Sequence, residues 1–435
     1  MVIRKKIGII LLIIAAFGVA AGISGYLLLH NHAQNSKQQP AATNPSQETH
    51  LAFLMEVYDT IKTNYWEVLT DQDLAKLYTL GIEKINNQQL EKTPTTKEEL
   101  VAILAPTLAG MNEQKKNEFC SQLANIVLVN LQPLSRSQLY SQAQVTNLGD
   151  RVNNRDTSVD LYKILGLDKQ ASLAQVIKLY DAKMKELAND KSAQAEEKKQ
   201  LLQRAFQTFS DPANKKAYDQ NGTEPTVIGN LINPAILSLR IVKFSPATSD
   251  ELTNVAKKYD QGDDLDTLII DLRDNVGGDI DDLPVFLGPF LGNDQYAYQF
   301  LHQGQRIDFK TTVGWLPSLV RYKKVVVLIN ENTQSTAEEF AAALKRYNIG
   351  VLLGSATKGW GTVERVFPIN NQFDKTQTFS VFLAHSLTLA DDNQPIEGRG
   401  VQPTISLNDP NWEKELYSHF RYPELADAIK EMLKQ

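Results

Sequence analysis

The stretch that most constrains this chain is a buried strand running straight into a helix, with a serine at the junction. Residues 325–329 are a continuous Val/Leu/Ile run, as in a strand covered on both faces. Asn332-Thr333-Gln334-Ser335-Thr336-Ala337-Glu338-Glu339 follows and opens a helix. The first turn of a helix has N–H groups without intrahelical acceptors and carries the positive end of the dipole. A serine there stands where a nucleophile with an adjoining oxyanion site is needed. A second short strand then leads to Thr357-Lys358-Gly359-Trp360-Gly361.

Upstream of this junction, residues 236–244 read as a strand, 250–259 as a helix and 265–272 as a buried strand ending in Arg273-Asp274-Asn275-Val276-Gly277-Gly278. The alternation predicts a mixed α/β domain over residues 223–410, with a helical segment over 411–435. Glycines directly after a strand let the backbone approach another group closely. The N–H groups of Gly277 and Gly278 are therefore candidates to face a carbonyl oxygen, with a plain tight turn as the alternative.

The N-terminus carries a different signal. Arg4, Lys5 and Lys6 precede an uncharged run over residues 7–29, and about 20 apolar residues cross a bilayer as a helix. The run exceeds the ~7–15 residues of a signal-peptide core. It predicts a transmembrane signal anchor over residues 1–29, cytoplasmic at its N-terminus, with the bulk of the chain extracytoplasmic. Small residues at 18–22 keep cleavage open. Residues 30–49, rich in Gln, Asn, Ser and Pro, read as a flexible linker. A hydrophobic content of 42% fits globular material, and a net charge of −6 gives no reason to expect nucleic acid as the main partner. Cys120 is the single cysteine, which excludes an intrachain disulfide and reads as a buried apolar thiol. No His/Cys cluster or phosphate-binding loop is present, so neither a metal nor a cofactor is expected.

Residues 50–157 read as a helical domain. Leu54, Val57, Tyr58, Ile61 and Tyr65 fall on one helical face, a second helix runs from Asp71 through Ile85, and helical spacing continues through residues 100–131. Simple packing explains these positions. Residues 158–222 form a separate unit, with Asp160-Leu161-Tyr162-Lys163-Ile164-Leu165-Gly166-Leu167 before two Lys/Glu-rich helices and Phe209-Ser210-Asp211-Pro212 after them. This unit resembles a J domain, the Hsp70 co-chaperone module. In that family a His-Pro-Asp tripeptide between the long helices carries ATPase stimulation, whereas Ala188-Asn189-Asp190 stands here. The resemblance therefore implies a degenerate J-like module for docking or adaptor binding, with a membrane co-chaperone as a remote alternative.

Over roughly residues 223–406 the chain resembles the S41 family of C-terminal processing (tail-specific) serine peptidases. Asp271-Leu272-Arg273-Asp274-Asn275-Val276-Gly277-Gly278 is similar to the family's D-L-R-x-N-P-G-G. Ser335-Thr336-Ala337-Glu338 is similar to its S-A-S-E, and Gly398-Arg399-Gly400-Val401-Gln402-Pro403 to its G-x-G-V-x-P. The resemblance implies a ClpP/crotonase-like peptidase core acting on protein or peptide substrates. It places the nucleophile at Ser335 and the oxyanion hole at the N–H of Thr336 with that of Gly277 or Gly278.

The base is where the chain departs from this pattern. The family's lysine lies in T-F-G-K-G, and the ungapped alignment puts Trp360 there; an indole has only a donor nitrogen. Lys358 lies two residues earlier, on the same face if the segment is extended, and is the expected base. His385 and His302 are alternatives, by analogy with tricorn-like members. A pseudopeptidase that binds peptides without cleaving them is the competing reading. The helix that follows the serine also carries Arg346 where the family often has an acidic residue. Ordinary members carry a PDZ domain that captures substrate C-termini; the J-like unit occupies its place.

Overall fold

The computed structural model describes residues 23–24, 45–260, 264–390 and 392–434, with side chains from residue 49 onward. The anchor expected over residues 1–29 and most of the linker lie outside these residues. Among the described residues no helix is long and apolar enough to cross a membrane.

A six-stranded sheet forms the centre of the C-terminal half. Its order is Ile405–Ser406, Val351–Gly354, Lys324–Ile329, Thr267–Asp271, Ile236–Ile241 and Val227–Asn233. The first five strands are parallel and the last is antiparallel. Both faces are covered, which is why the inner strands read as unbroken apolar runs. One face packs on helices Leu283–Leu291 and Thr336–Arg346, through Phe286, Phe290, Phe340 and Leu344. The other packs on Trp412–Phe420 and Pro423–Leu433, through Leu416, Leu425 and Ile429. The C-terminal helices thus share a core with the sheet and do not form an appendage.

An antiparallel sheet stands beside it, in the order Thr362–Pro368, Phe379–Thr388, Tyr296–His302 and Gln305–Lys310. Strand Gln138–Ser141 joins the edge of Phe379–Thr388. The N-terminal helices Pro45–Asn64, Asp71–Asn86, Lys97–Ala109 and Glu113–Val129 close on one core with Val381 and Leu383 of this sheet and Ile369 just past its edge strand. The helical region expected over residues 50–157 therefore includes a strand and is continuous with the C-terminal half. Cys120 lies in its core, and burial pushes the thiol up to about 12.

The J-like unit has the helices Leu161–Leu165, Leu173–Glu186, Ala193–Phe209 and Pro212–Asn221. Each begins on a side-chain cap, Asp160, Ser172, Ser192 or Asp211, which satisfies otherwise orphaned N–H groups. Its small core is built on Leu161, Tyr162, Leu165, Leu202, Ala205 and Phe209. The chain enters and leaves side by side, with a bridge between Arg155 and Thr223. Asp190 in the Ala188-Asn189-Asp190 loop accepts from the Ser192 N–H at 2.8 Å, a local turn contact.

Candidate active site

Strand Lys324–Ile329 ends at a turn in which Thr333 Oγ donates to the Leu272 carbonyl at 2.8 Å. The Gln334 N–H then donates to the Asn275 carbonyl at 2.9 Å, fastening the segment before the serine to the segment before the glycines. Ser335 follows with φ +57° and ψ −129°. Such a conformation costs a non-glycine residue about 1–3 kcal/mol and persists only where its surroundings impose it. Here the imposing group is Glu338, whose carboxylate accepts from the Ser335 N–H at 2.7 Å.

The glycine pair lies against this elbow. Gly277 and Gly278 have φ +85° and +146°. A Cβ on Gly277 would lie 2.7 Å from the Ser335 Cβ and 3.0 Å from the Thr336 nitrogen, and a Cβ on Gly278 would lie 1.7 Å from the Phe244 carbonyl oxygen. Both positions thus need glycine for space as well as for φ. The Gly277 N–H donates to Asn275 Oδ1 at 2.8 Å, so that donor is already engaged. Thr336 Oγ donates to the Gly278 carbonyl at 3.0 Å, fixing the pair to the helix start. Gly277 and Gly278 also form a strand edge along which Ile23–Ser24 pair in parallel, so this edge accommodates an extended chain.

Glu338 also holds the facing loop. It is fully buried and accepts from Thr357 Oγ at 2.5 Å, the Gly359 N–H at 2.8 Å and the Trp360 N–H at 2.8 Å. Burial pushes its pKa up, and its four donors pull against that shift. One carboxylate therefore sets both the serine elbow and the loop opposite it.

That loop is not extended. Gly359 has φ +77°, and the alternation on which Lys358 and Trp360 would share a face fails. Lys358 is exposed, and its N–H donates to the Thr333 carbonyl at 2.9 Å. Trp360 is 9% exposed, with its indole N–H donating to Glu364 at 3.0 Å. The Arg136 guanidinium stacks 3.3 Å from its ring centroid. Arg136 pairs with Glu397 at 3.0 Å, and Glu397 accepts from the Gly361 N–H at 2.8 Å. The tryptophan is thus a packed junction between the helical region and the loop.

Several titratable groups escaped the sequence reading. Glu364 is fully buried, accepts from Thr362 Oγ at 2.6 Å and keeps Oε2 without a hydrogen-bond partner. Burial pushes it up to about 7, with the Glu397 charge in support. Asp279, directly after the glycines, is likewise pushed up to about 7 by burial and by Asp282 and Asp281. Acidic residues inside or beside apolar strands were the available signal. The stacking of Arg136 had none, since its Glu397 partner is 261 residues away in sequence. His302 and His385 stack on each other at 4.3 Å. His302 Nδ1 contacts the His385 carbonyl at 2.6 Å, and His385 Nδ1 contacts Ser386 Oγ at 2.8 Å. Burial, then His302 and Arg365, push His385 down to about 4. Arg346 donates to the Ala297 carbonyl at 3.0 Å, a packing role at the end of the helix that starts after Ser335. Among the described residues no group of three His, Cys, Asp or Glu side chains is placed to hold a metal.

Comparison with known proteins agrees with this geometry. Residues 235–407 match the model of peptidase family S41, and residues 160–219 match the DnaJ domain. A probable CtpA-like serine protease of Staphylococcus epidermidis is 29% identical over 176 residues, covering 40% of this chain and 34% of the relative. Its Staphylococcus aureus counterpart is 27% identical over 177 residues, with the same coverage. The match thus spans about a third of the length of these curated relatives. Among solved structures, a photosystem II D1 C-terminal processing protease aligns over 82% of this chain and 93% of its own, with 13% identity and a TM-score of 0.48. The motifs at Ser335 and Gly277-Gly278 thus lie within the stretch that matches peptidase family S41, which follows the stretch that matches the DnaJ domain.

Proposed function

We propose that the protein is a membrane-anchored serine endopeptidase of the tail-specific type. The observation that carries this reading is the strained Ser335 elbow pressed against Gly277 at the start of a helix. Ser335 Oγ attacks the scissile carbonyl of an extended peptide lying along Gly277–Gly278. The developing oxyanion is met by the N–H groups of Gly278 and Thr336; Gly277 supplies the close approach, its own N–H being held by Asn275. Lys358 receives the serine proton. It is exposed in the free protein, so in this reading bound substrate covers it and excludes bulk water from the proton transfer. The J-like unit, lacking His-Pro-Asp, serves as a docking module for substrate or adaptor.

The membrane anchor over residues 1–29 includes Ile23 and Ser24. Those residues cannot both cross a bilayer and pair with Gly277–Gly278, so the anchored state leaves this edge to substrate. Alkaline extraction of membranes from cells making the full chain tests the anchor; release into the soluble fraction rules it out.

A noncatalytic peptide-binding protein is the second reading, favoured by Trp360 at the base position with its only nitrogen spent on Glu364. Turnover of an unfolded protein substrate by wild type, Ser335→Ala and Lys358→Ala separates the two. Cleavage by wild type alone supports the enzyme with Lys358 as base. Cleavage that survives in Lys358→Ala requires another base, and wild-type turnover no higher than that of Ser335→Ala ends the enzyme reading.

A further inference from the structure

The antiparallel sheet ends on strand Thr362–Pro368. That strand pairs with Phe379–Thr388 along one edge, and no strand among the described residues pairs with its other edge. An open edge presents a row of N–H and C=O groups ready for another chain. A bulge between Val363 and Glu364 and the proline at 368 confine its regular stretch to residues 364–367.

The open edge lies close to the glycine pair. Gly277 and Gly278 are bonded on one side by Phe244, whose N–H donates to the Gly277 carbonyl at 3.0 Å and whose carbonyl accepts from the Asp279 N–H at 2.8 Å. Their other side carries Ile23–Ser24, and Cα atoms of this two-residue strand come within 8 Å of Thr362–Pro368. Paired strands keep opposed Cα atoms about 4.5–5.5 Å apart, so a chain on the glycine edge is a near neighbour of the second edge as well. Arg365 of that edge holds both carboxylate oxygens of Asp281, three residues beyond Gly278, which fastens one wall to the other. Helix Gln142–Val152 also comes within 8 Å of Ile23–Ser24, and its Leu148 and Val152 share an apolar cluster with Val366 and Phe382 of the sheet.

We propose that the glycine edge and the edge strand Thr362–Pro368 are the two walls of one groove, in which an extended peptide pairs through its backbone with both and joins the two sheets. The parallel register, Ile23 with Gly277 and Ser24 with Gly278, sets the peptide's direction, with its C-terminal part heading toward Asp281 and Arg365. Successive N–H groups of an extended strand point to opposite edges. A peptide on the glycine edge alone therefore leaves every second amide unpaired, and the second edge takes those. Main-chain pairing reads backbone before sequence, so the groove suits unfolded segments of many sequences. The proposal rests on the peptide-binding part of the reading above, adds the second wall to it and does not need catalysis.

The test uses the full chain carrying Ser335→Ala, which separates binding from cleavage, in detergent micelles that take up the apolar run over residues 7–29. A labelled peptide of non-repeating sequence is titrated by fluorescence anisotropy beside variants that each carry one N-methyl group, placed at successive residues. With both walls in use, affinity should fall roughly ten-fold at adjacent positions. Losses confined to alternate positions, with those between them binding like the unmodified peptide, show pairing on the glycine edge alone; they overturn the second wall and leave peptide binding standing. No binding of the unmodified peptide removes the peptide-binding reading, and this proposal with it. A diazirine on the same peptide then locates the second wall. Photo-adducts within residues 362–368 are expected, and adjacent losses without them overturn the assignment to this strand.

Discussion

The two sides of the candidate site differ in an instructive way. On the serine side, backbone geometry does the work: a positive φ at Ser335, two glycines without room for a Cβ, and a helix start. On the loop side, side-chain chemistry would do the work, and there a stacked indole stands in place of an amine. The two sides are nevertheless bonded to each other equally well, because Glu338 accepts from both. The elbow and the facing loop are therefore held together by one carboxylate, whichever side chain takes the serine proton.

Breaking the serine side should have the largest effect. Ser335→Ala should lower peptide hydrolysis by at least about 10³-fold while leaving peptide binding intact, as progress curves and anisotropy on the same preparation will show. Gly278→Ala should cost about 3 kcal/mol or more of stability, since its Cβ would overlap the Phe244 carbonyl at 1.7 Å and its φ of +146° is closed to alanine. A urea midpoint within experimental error of wild type contradicts this account of the glycine.

Trp360→Lys sharpens the comparison from the loop side. It removes an aromatic ring packed under Arg136 and sets a second cation beside that guanidinium, so a loss of about 3 kcal/mol is expected. With Lys358 as the base, turnover should not rise; a rise above wild type shows that the loop had lost its proton acceptor.

The smallest expected effect appears in the pH dependence of stability. Glu364 sits near 4.5 when unfolded and about 7 when folded, so between these values the folded chain binds the extra proton. Its stability then falls as pH rises from 4.5 to 7, by on the order of 3 kcal/mol at most. Glu364→Gln should flatten that slope, read as urea midpoints at pH 5 and pH 8. A slope identical to wild type places the titration elsewhere.

Much of this was legible in the sequence because it is local. The strand-serine-helix junction, the glycine pair and the J-like helices each follow from neighbouring residues: apolar runs, caps and glycines at fixed offsets. Extrapolation failed for the shared face of Lys358 and Trp360, where alternation was assumed across Gly359 and the glycine instead turned the chain at φ +77°. It also missed Arg136 and Glu364, whose importance depends on what lies against them.

By itself, then, the sequence determined a serine at a strand-to-helix junction, a glycine pair after a buried strand, and that two recognisable modules follow one another along the chain. The tertiary structure decided that Trp360 is packed under Arg136 and that one buried carboxylate holds both sides of the site. Periodicity and turn chemistry act over a few residues and are written locally, whereas burial, stacking and charge compensation are set by residues hundreds of positions apart that only the folded chain brings together.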